Sequence, residues 1–382
     1  MGNIPVIGIT GSCGKTSATN FLGKILQDQG RTFVGIDSNG GSWMHKNLRR
    51  LNGSYSYLLQ EIAAAKQGDI RASTQVMQPS VGIVTTIGQD HFTAFRTYEA
   101  TAREKRALVE LLPQDGVAVL NADDPYVLAM TEASPARVLT YGTGQDADVR
   151  ISEVRGNWPE LLSMDVTYGG ETVTIGTGLF GDLLALSLSA AVAGALAVGI
   201  PLRQCASSLN GIRAYDRRMS IHRSPEGVYF INDCKKAPYW SVLPAVSQMK
   251  DAEAPRKTIV LGSFSDVPGS VSGKYRAMAR TLMEFVDRVV FVGKSAYYLR
   301  KLNGPEYQGR VYGFENMVEA CDFLRNDVIA NELIYAKSSK NEHLERVVYS
   351  QIYDMSCYKN LCSEEVSCHL CKKNGCTPLG SA

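Results

Sequence analysis

Apolar positions along the chain fall in short runs, and these alternate with longer stretches of helical spacing. Ile4–Thr10 is apolar, closes on a Gly-rich turn and gives way to a helical pattern. The alternation predicts strands at Pro5–Thr10, Thr32–Ile36, Val81–Ile87 and Val117–Asn121, and helices at Ala18–Gln29 and Tyr98–Leu112. Such strand–helix alternation indicates a parallel sheet with crossover helices. Residues 149–176 differ: short alternating segments flank Gly169-Gly170 and predict a small antiparallel patch around a tight turn. From Leu183 to Leu202 there is no charged residue, a length that could span a bilayer. Its Ala, Gly and Ser content and its Gly-Ile-Pro ending favour a buried helix packed closely through small residues.

A polar stretch, Asn210–Arg218, follows, and then a second α/β alternation. Its expected strands are Val228–Asn232, Thr258–Leu261, Arg288–Val292 and Leu333–Tyr335. A domain boundary is placed near residue 215. No internal repeat and no low-complexity linker interrupts the pattern.

The sharpest local signal is Gly11-Ser12-Cys13-Gly14-Lys15-Thr16-Ser17, set between an expected strand and an expected helix. Such a turn aims several backbone N–H groups and a helix N-terminus at one spot, which suits a phosphate. Lys15 would reach the outer phosphates, and the Thr16 hydroxyl is placed to hold Mg²⁺. The longer form of this loop has Gly where Ile9 stands, so the loop is of the short GxxGK[ST] type. It opens at the eleventh residue, and the expectation is a nucleotide site with no domain before it.

Composition narrows the class. The 382 residues are 45% hydrophobic, enough for two or three domains. A net charge of +2 gives no reason to expect nucleic-acid or membrane-surface binding. The N-terminus has neither the basic segment nor the apolar run of a signal peptide, so a cytoplasmic protein is expected. Cys13, Cys205, Cys234 and Cys321 are scattered, as free thiols in a reduced compartment are. Cys357, Cys362, Cys368, Cys371 and Cys376 crowd the end of the chain.

Four further segments carry candidate chemistry. Gln60-Glu61-Ile62 offers a carboxylate near a strand end. Thr85-Thr86-Ile87-Gly88-Gln89-Asp90-His91 leaves a strand and exposes an Asp–His pair. Lys105 lies in the helix that follows, and Leu120-Asn121-Ala122-Asp123-Asp124-Pro125 ends the next strand. Taken singly, each has a plainer reading: a helix-end acid, a turn histidine, a charged helix face at Arg103–Arg106, an Asp-Pro turn.

Together, and in this order, they resemble the Mur ligase family, ATP-dependent ligases of peptidoglycan assembly and their relatives. The loop is similar to the family's GTNGKT, TTIGQDH to TNIGxDH and LNADDP to LNxDD. In the second half, Arg217-Arg218-Met219 is similar to the Gly-Arg or His-Arg step, and Ile231-Asn232-Asp233-Cys234-Lys235 to the INDSK form of the muramoyl-alanine–glutamate ligase branch. Leu333–Val347 resembles the closing LLKGSR…E segment. The resemblance covers roughly residues 4–350.

It implies a P-loop central domain over 1–215, with a mostly parallel sheet and a small antiparallel patch. A Rossmann-like C-terminal α/β domain over 216–350 would follow; the Cys-rich tail over 351–382 lies beyond the resemblance, and nothing in the family requires it. Gly11, Ser12, Cys13, Gly14, Lys15, Thr16 and Ser17 would cradle the ATP phosphates, and Asn121 would contact the adenine. Thr16 and Glu61 would hold one Mg²⁺, and His91 a second. Lys105 stands where several members carry a carbamylated lysine. Arg218 would reach the phosphates, Asp233 the ribose and Lys235 the reacting phosphoryl group.

There are departures. The family's UDP-binding N-terminal domain is not seen, which points away from a standard peptidoglycan precursor. It points toward members that begin at the loop, such as the folylpolyglutamate, poly-γ-glutamate or F430-type synthetases. Gly181-Asp182-Leu183-Leu184 lacks the histidine often found before the long helix. Cys13 replaces the usual Asn, and Lys337-Ser338-Ser339 lacks the usual Gly.

The tail reads C-x4-C-x5-C-x2-C-x4-C with His369 inside the C-x2-C. Soft ligands at this spacing favour tetrahedral Zn²⁺, with a disordered thiol-rich tail and a redox or disulfide role as alternatives. The expected activity is ADP-forming ligation of a small-molecule or peptide carboxylate to an amine. Two other readings stand beside it. One is intramolecular ring closure through the same acyl phosphate. The other is a non-catalytic ATP switch whose tail binds a protein partner. Asp37–Arg50, with Trp43, His45, Lys46, Arg49 and Arg50, is either an anion-binding segment or a solvated loop.

Overall fold

The computed structural model describes residues 4–36, 49, 51, 54–89, 92–302 and 304–379. The chain forms two compact units. One comprises Met1–Gly156, Leu161–Gly178 and Asp182–Ile212, the other Asn157–Glu160, Leu179–Gly181 and Arg213–Ala382.

The first unit is built on a nine-stranded sheet: β1 (Val6–Thr10), β2 (Thr32–Gly35), β3 (Tyr57–Glu61), β4 (Val81–Val84), β5 (Val117–Asn121), β6 (Arg137–Gly142), β7 (Val149–Arg155), β8 (Ser163–Tyr168) and β9 (Glu171–Gly176). Their order is β2-β3-β1-β4-β5-β6-β7-β8-β9. Neighbours from β2 through β7 pair in parallel, while β7, β8 and β9 pair antiparallel. The antiparallel patch is therefore the edge of the main sheet. Its β8–β9 turn uses Gly169 and Gly170, both at positive φ, as a two-residue hairpin of right-handed twist requires.

Strand β1 lies between β3 and β4, with Ile7 and Ile9 fully buried. Burying an isoleucine contributes about 1.5–3 kcal/mol, so Ile9 serves the strand where longer loops of this kind begin with Gly. Helix α1 (Lys15–Gln29) starts three residues before the expected Ala18, because the turn ends at Gly14, φ 83°, and Lys15 is already helical. Strand β4 stops at Val84 and not at Ile87, since Thr85 turns toward the Gly-rich loop.

The uncharged stretch forms one helix, Ala185–Ala197, and ends at Gly199 and Pro201, after which a second helix, Leu202–Leu209, begins. The first is about 20 Å long at 1.5 Å per residue, short of a hydrocarbon core. No helix among the described residues is long and apolar enough to cross a membrane. Close packing is visible at Gly194, where an added Cβ would lie 2.6 Å from Ile83 Cδ1 and 3.0 Å from Leu22 Cδ2.

The second unit holds a six-stranded sheet: β10 (Ser220–Arg223), β11 (Tyr229–Asp233), β12 (Lys257–Leu261), β13 (Arg288–Val292), β14 (Val311–Phe314) and β15 (Leu333–Lys337). The order is β10-β11-β15-β12-β13-β14, parallel throughout except for β10. Phe230, Val260, Val290, Leu324, Ile334 and Val347 belong to one buried cluster that also takes in Met355 and Cys368. The C-terminal segment thus adds to the core of this unit. Tyr353–Asp354 pairs antiparallel with Thr377–Pro378.

Candidate functional site

In the first unit the site grows from the C-terminal edge of the parallel sheet, where ligands of open α/β sheets bind. Gly11 has φ 145°, and a Cβ there would fall 1.8 Å from Thr85 Oγ1. Only glycine lets β1 turn so tightly against the end of β4. The loop is laced to that neighbour. Ser12 N donates to the Thr86 carbonyl (2.7 Å), and Thr85 Oγ1 donates to the Cys13 carbonyl (2.6 Å). Gly14 then leads into α1, whose N-terminus no side chain caps, which leaves the helix end suited to an anion.

Lys15 and Thr16 are buried. The Lys15 ammonium donates to the Gly11 carbonyl at 2.6 Å, which keeps its charge over the loop. Thr16 Oγ1 donates to Glu61, 3.1 Å from Oε2 and 3.3 Å from Oε1. Glu61 is the last residue of β3 and 2% exposed. A hydroxyl beside a carboxylate at a phosphate loop is the hard-oxygen donor set that Mg²⁺ takes, so the residues present fit that ion. The solvated-acid reading of Glu61 does not hold.

Lys105 lies in the helix Tyr98–Glu110 and is 2% exposed. Its neighbour Glu104 is buried too and accepts from Gly68 N and Ile70 N. The charged-face reading is corrected for these two residues, while Arg106 remains exposed and pairs with Glu110. Asn121, at the end of β5, donates to the Thr85 carbonyl (2.8 Å) and accepts from Asp123 N (3.0 Å). Its amide thus fastens two strand ends. Asp90 and His91 lie outside the described residues, as do Trp43, His45, Lys46 and Arg50.

Two organisers carried no sequence assignment. Asp124 caps the turn Pro125–Leu128 and also accepts from Thr86 Oγ1 (2.8 Å) and Ile87 N (2.7 Å). Thr85 joins loop, β4 and β5. The signal for Asp124 was present, since an Asp before Pro at a strand end is a capping pattern.

In the second unit, Asp233 ends β11 and accepts from Tyr335 Oη (3.0 Å) and Lys337 Nζ (2.5 Å). Lys337, buried at the end of β15, also donates to the Lys236 carbonyl. The sequence marks Lys337 only as part of a departure from the closing motif; the fold sets it at the end of the LIYAK strand, against Asp233. Arg217 and Met219, on either side of Arg218, are non-glycine residues at positive φ, a costly conformation that surrounding contacts must hold. Those contacts are Arg217 Nη1 to Glu345 Oε1 (3.1 Å) and Tyr349 Oη to Asp216 Oδ1 (2.6 Å). Burial works against the Arg217 charge, but the neighbouring Glu345 and Asp216 carboxylates together outweigh it, so its pKa lies above the ordinary arginine value. Lys235 lies two residues beyond the end of β11 and is half-buried.

None of the nine cysteines is in a disulfide. Burial pushes the Cys205 thiol up to about 12 and Cys321 up to about 11, so both behave as core residues. Cys13 is exposed on the phosphate loop. Of the tail thiols Cys357, Cys362, Cys368, Cys371 and Cys376, the fold brings only Cys368 into a group of three potential metal ligands among the described residues.

A phosphate loop at the end of an interior strand of a mostly parallel sheet defines an α/β protein of the P-loop class. Within it, the profile of the Mur ligase middle domain matches residues 9–195. A UDP-N-acetylmuramoyl-tripeptide–D-alanyl-D-alanine ligase of Mycobacterium bovis is 29% identical over 302 residues, covering 76% of this chain and 59% of the relative. MurF from Acinetobacter baumannii superposes with a TM-score of 0.82 at 23% identity, over 90% of this chain and 76% of that one. MurF ligase from Thermotoga maritima, solved in complex with ADP, superposes with a TM-score of 0.76 at 18% identity, over 91% and 79%. The chain belongs to the Mur ligase family, and it spans 59% of the length of the M. bovis relative.

Proposed function

We propose that the protein is an ATP- and Mg²⁺-dependent ligase that joins a carboxylate to an amine and releases ADP and phosphate. The observation that carries this is the phosphate loop with Lys15 folded over it and Thr16 set on the buried Glu61. The relatives support it: they are named ligases of muramoyl peptides, and one MurF was solved with ADP.

The chemistry needs this set. A carboxylate is a poor electrophile. Transfer of the γ-phosphoryl group to its oxygen gives an acyl phosphate and ADP. The amine then attacks the carbonyl carbon, the C–N bond forms, the C–O bond to phosphate breaks, and a proton leaves the nitrogen. Two anions must meet in the first step, and cationic groups offset their repulsion. Lys15 and the loop N–H groups hold the phosphates. Thr16 and Glu61 would hold Mg²⁺, which supplies charge compensation when bound. His91 would serve a second ion, and Lys105, as a carbamate, would add an anionic oxygen group. For Asn121, Arg218, Asp233 and Lys235 the reading rests on their motifs: adenine, phosphate, ribose and the transferring group respectively.

The two units support assignment of 1–215 as the central domain and 216–350 as the C-terminal domain, with 351–382 as an added segment. The test is ATP consumption by the purified chain with fractionated acids and amines. Stimulation by particular fractions, lost in Lys15→Ala, supports the ligase. ATP binding without stimulation by any fraction would instead support the switch.

A further inference from the structure

We propose that His343, Glu345 and Cys368 bind one zinc ion, which ties the Cys-rich end of the chain to the second unit. The three side chains are 1%, 0% and 3% exposed. One ligand atom from each lies within 4.8 Å of the other two.

The hydrogen bonds of His343 make the case. Its Nε2 lies 2.8 Å from the Glu364 carbonyl oxygen, which can only accept, so the ring proton sits on Nε2. Nδ1 then faces Glu345 Oε1 at 2.8 Å and Cys368 Sγ at 3.4 Å. A neutral imidazole would present a lone pair to a carboxylate oxygen there, and that contact is repulsive. A cation beside that contact would offset the repulsion, either a second proton on Nδ1 or a metal ion that takes up the Nδ1 lone pair.

Three observations favour the metal. Glu345 Oε2 is buried without a hydrogen-bond partner, and a buried carboxylate oxygen left unpaired is costly. A proton on Nδ1 does nothing for it. Next, the N–H on a backbone carbonyl is the bond that orients a metal-binding histidine. Finally, the spacing fits: tetrahedral zinc with ordinary Zn–N and Zn–S lengths sets nitrogen and sulfur about 3.5 Å apart, against 3.4 Å here. Arg217 occupies Oε1 of the carboxylate, so Oε2 is the oxygen for the ion. A mixed imidazole, thiolate and carboxylate set selects zinc over the hard Mg²⁺.

On binding, the Cys368 S–H bond breaks and its proton passes to solvent. Bonds form from zinc to the thiolate, to Nδ1 and to Glu345, with a water in the fourth position. The ion closes the loop between Glu345 and Cys368. It also shares Glu345 with Arg217, the neighbour of Arg218.

The test is metal analysis of the untagged full-length chain grown with zinc. Beside it stand Cys368→Ser and a fourfold variant with Ser at positions 357, 362, 371 and 376. The expected result is one zinc per chain in the parent and in the fourfold variant, and loss of the metal in Cys368→Ser. Cobalt(II) added to the stripped parent chain should give thiolate-to-cobalt absorption, a readout that needs no variant to fold. A parent chain with neither zinc nor that absorption would overturn the proposal in favour of a doubly protonated His343. Zinc that disappears in the fourfold variant would overturn it in favour of the other thiols.

Discussion

Thr16, in the first turn of α1, donates its hydroxyl to both oxygens of Glu61, the buried last residue of β3. Phosphate loop and neighbouring strand are thereby joined at the point where a hard cation would be needed. Glu61→Gln keeps the shape and removes the charge. Mg²⁺ affinity, read from the concentration for half-maximal ATP turnover, should weaken by about 10–100-fold, with little change in thermal stability. An unchanged Mg²⁺ requirement would remove Glu61 from the ion's environment.

Gly11 tests the loop geometry. At φ 145°, with Thr85 Oγ1 1.8 Å from an added Cβ, Gly11→Ala must move Thr85 or unwind the turn. A cost of about 1–3 kcal/mol in unfolding free energy is expected from the backbone conformation alone. Nucleotide affinity should fall with it. Thr85→Ser, which keeps the bond to the Cys13 carbonyl, should leave both near the parent values.

Arg217 and Glu345 form a buried pair at 3.1 Å, 5% and 0% exposed in their side chains. Removing one partner strands the other charge, so Arg217→Met should cost about 3–5 kcal/mol in denaturant unfolding. Replacing both residues with apolar ones should cost less than the two single changes summed. Strict additivity would show that the pair does not hold the strained Arg217–Met219 turn.

His222 gives a pH signature. Burial depresses its pKa below the ordinary histidine value, an effect opposed by Asp216 and reinforced by His369. A depressed folded-state pKa means that the unfolded chain binds the proton more tightly. Its stabilising contribution is therefore complete above about pH 6.5, the unfolded value, and is lost as pH falls below it. His222→Gln should flatten the acid side of the stability profile. A profile of the same slope would place the acid sensitivity elsewhere.

Much of this was legible in the chain. Ile4–Thr10 with the glycines and lysine that follow gave β1, the loop and α1, because apolar run, turn residues and helical spacing all agree there. Glu61 was legible as a strand-end carboxylate, but its burial was not, since that depends on α1 delivering Thr16 to it. Arg103–Arg106 read as a charged face because local spacing cannot see that Gly68 and Ile70 offer N–H groups to Glu104. The tail misled in the same way. Its thiol spacing suggested partners within the tail, whereas the group the fold assembles draws on His343 and Glu345, more than twenty residues before Cys368. Long-range partners of this kind leave no period in the sequence.

The most direct measurement of the central claim follows oxygen. An acid that stimulates turnover is labelled with ¹⁸O in its carboxylate and incubated with Mg-ATP and its amine partner. The account predicts ADP and inorganic phosphate in equal amounts, with one labelled oxygen carried into the phosphate and none of this in Lys15→Ala. AMP and pyrophosphate, or unlabelled phosphate beside the amide, would contradict an acyl phosphate formed at this loop.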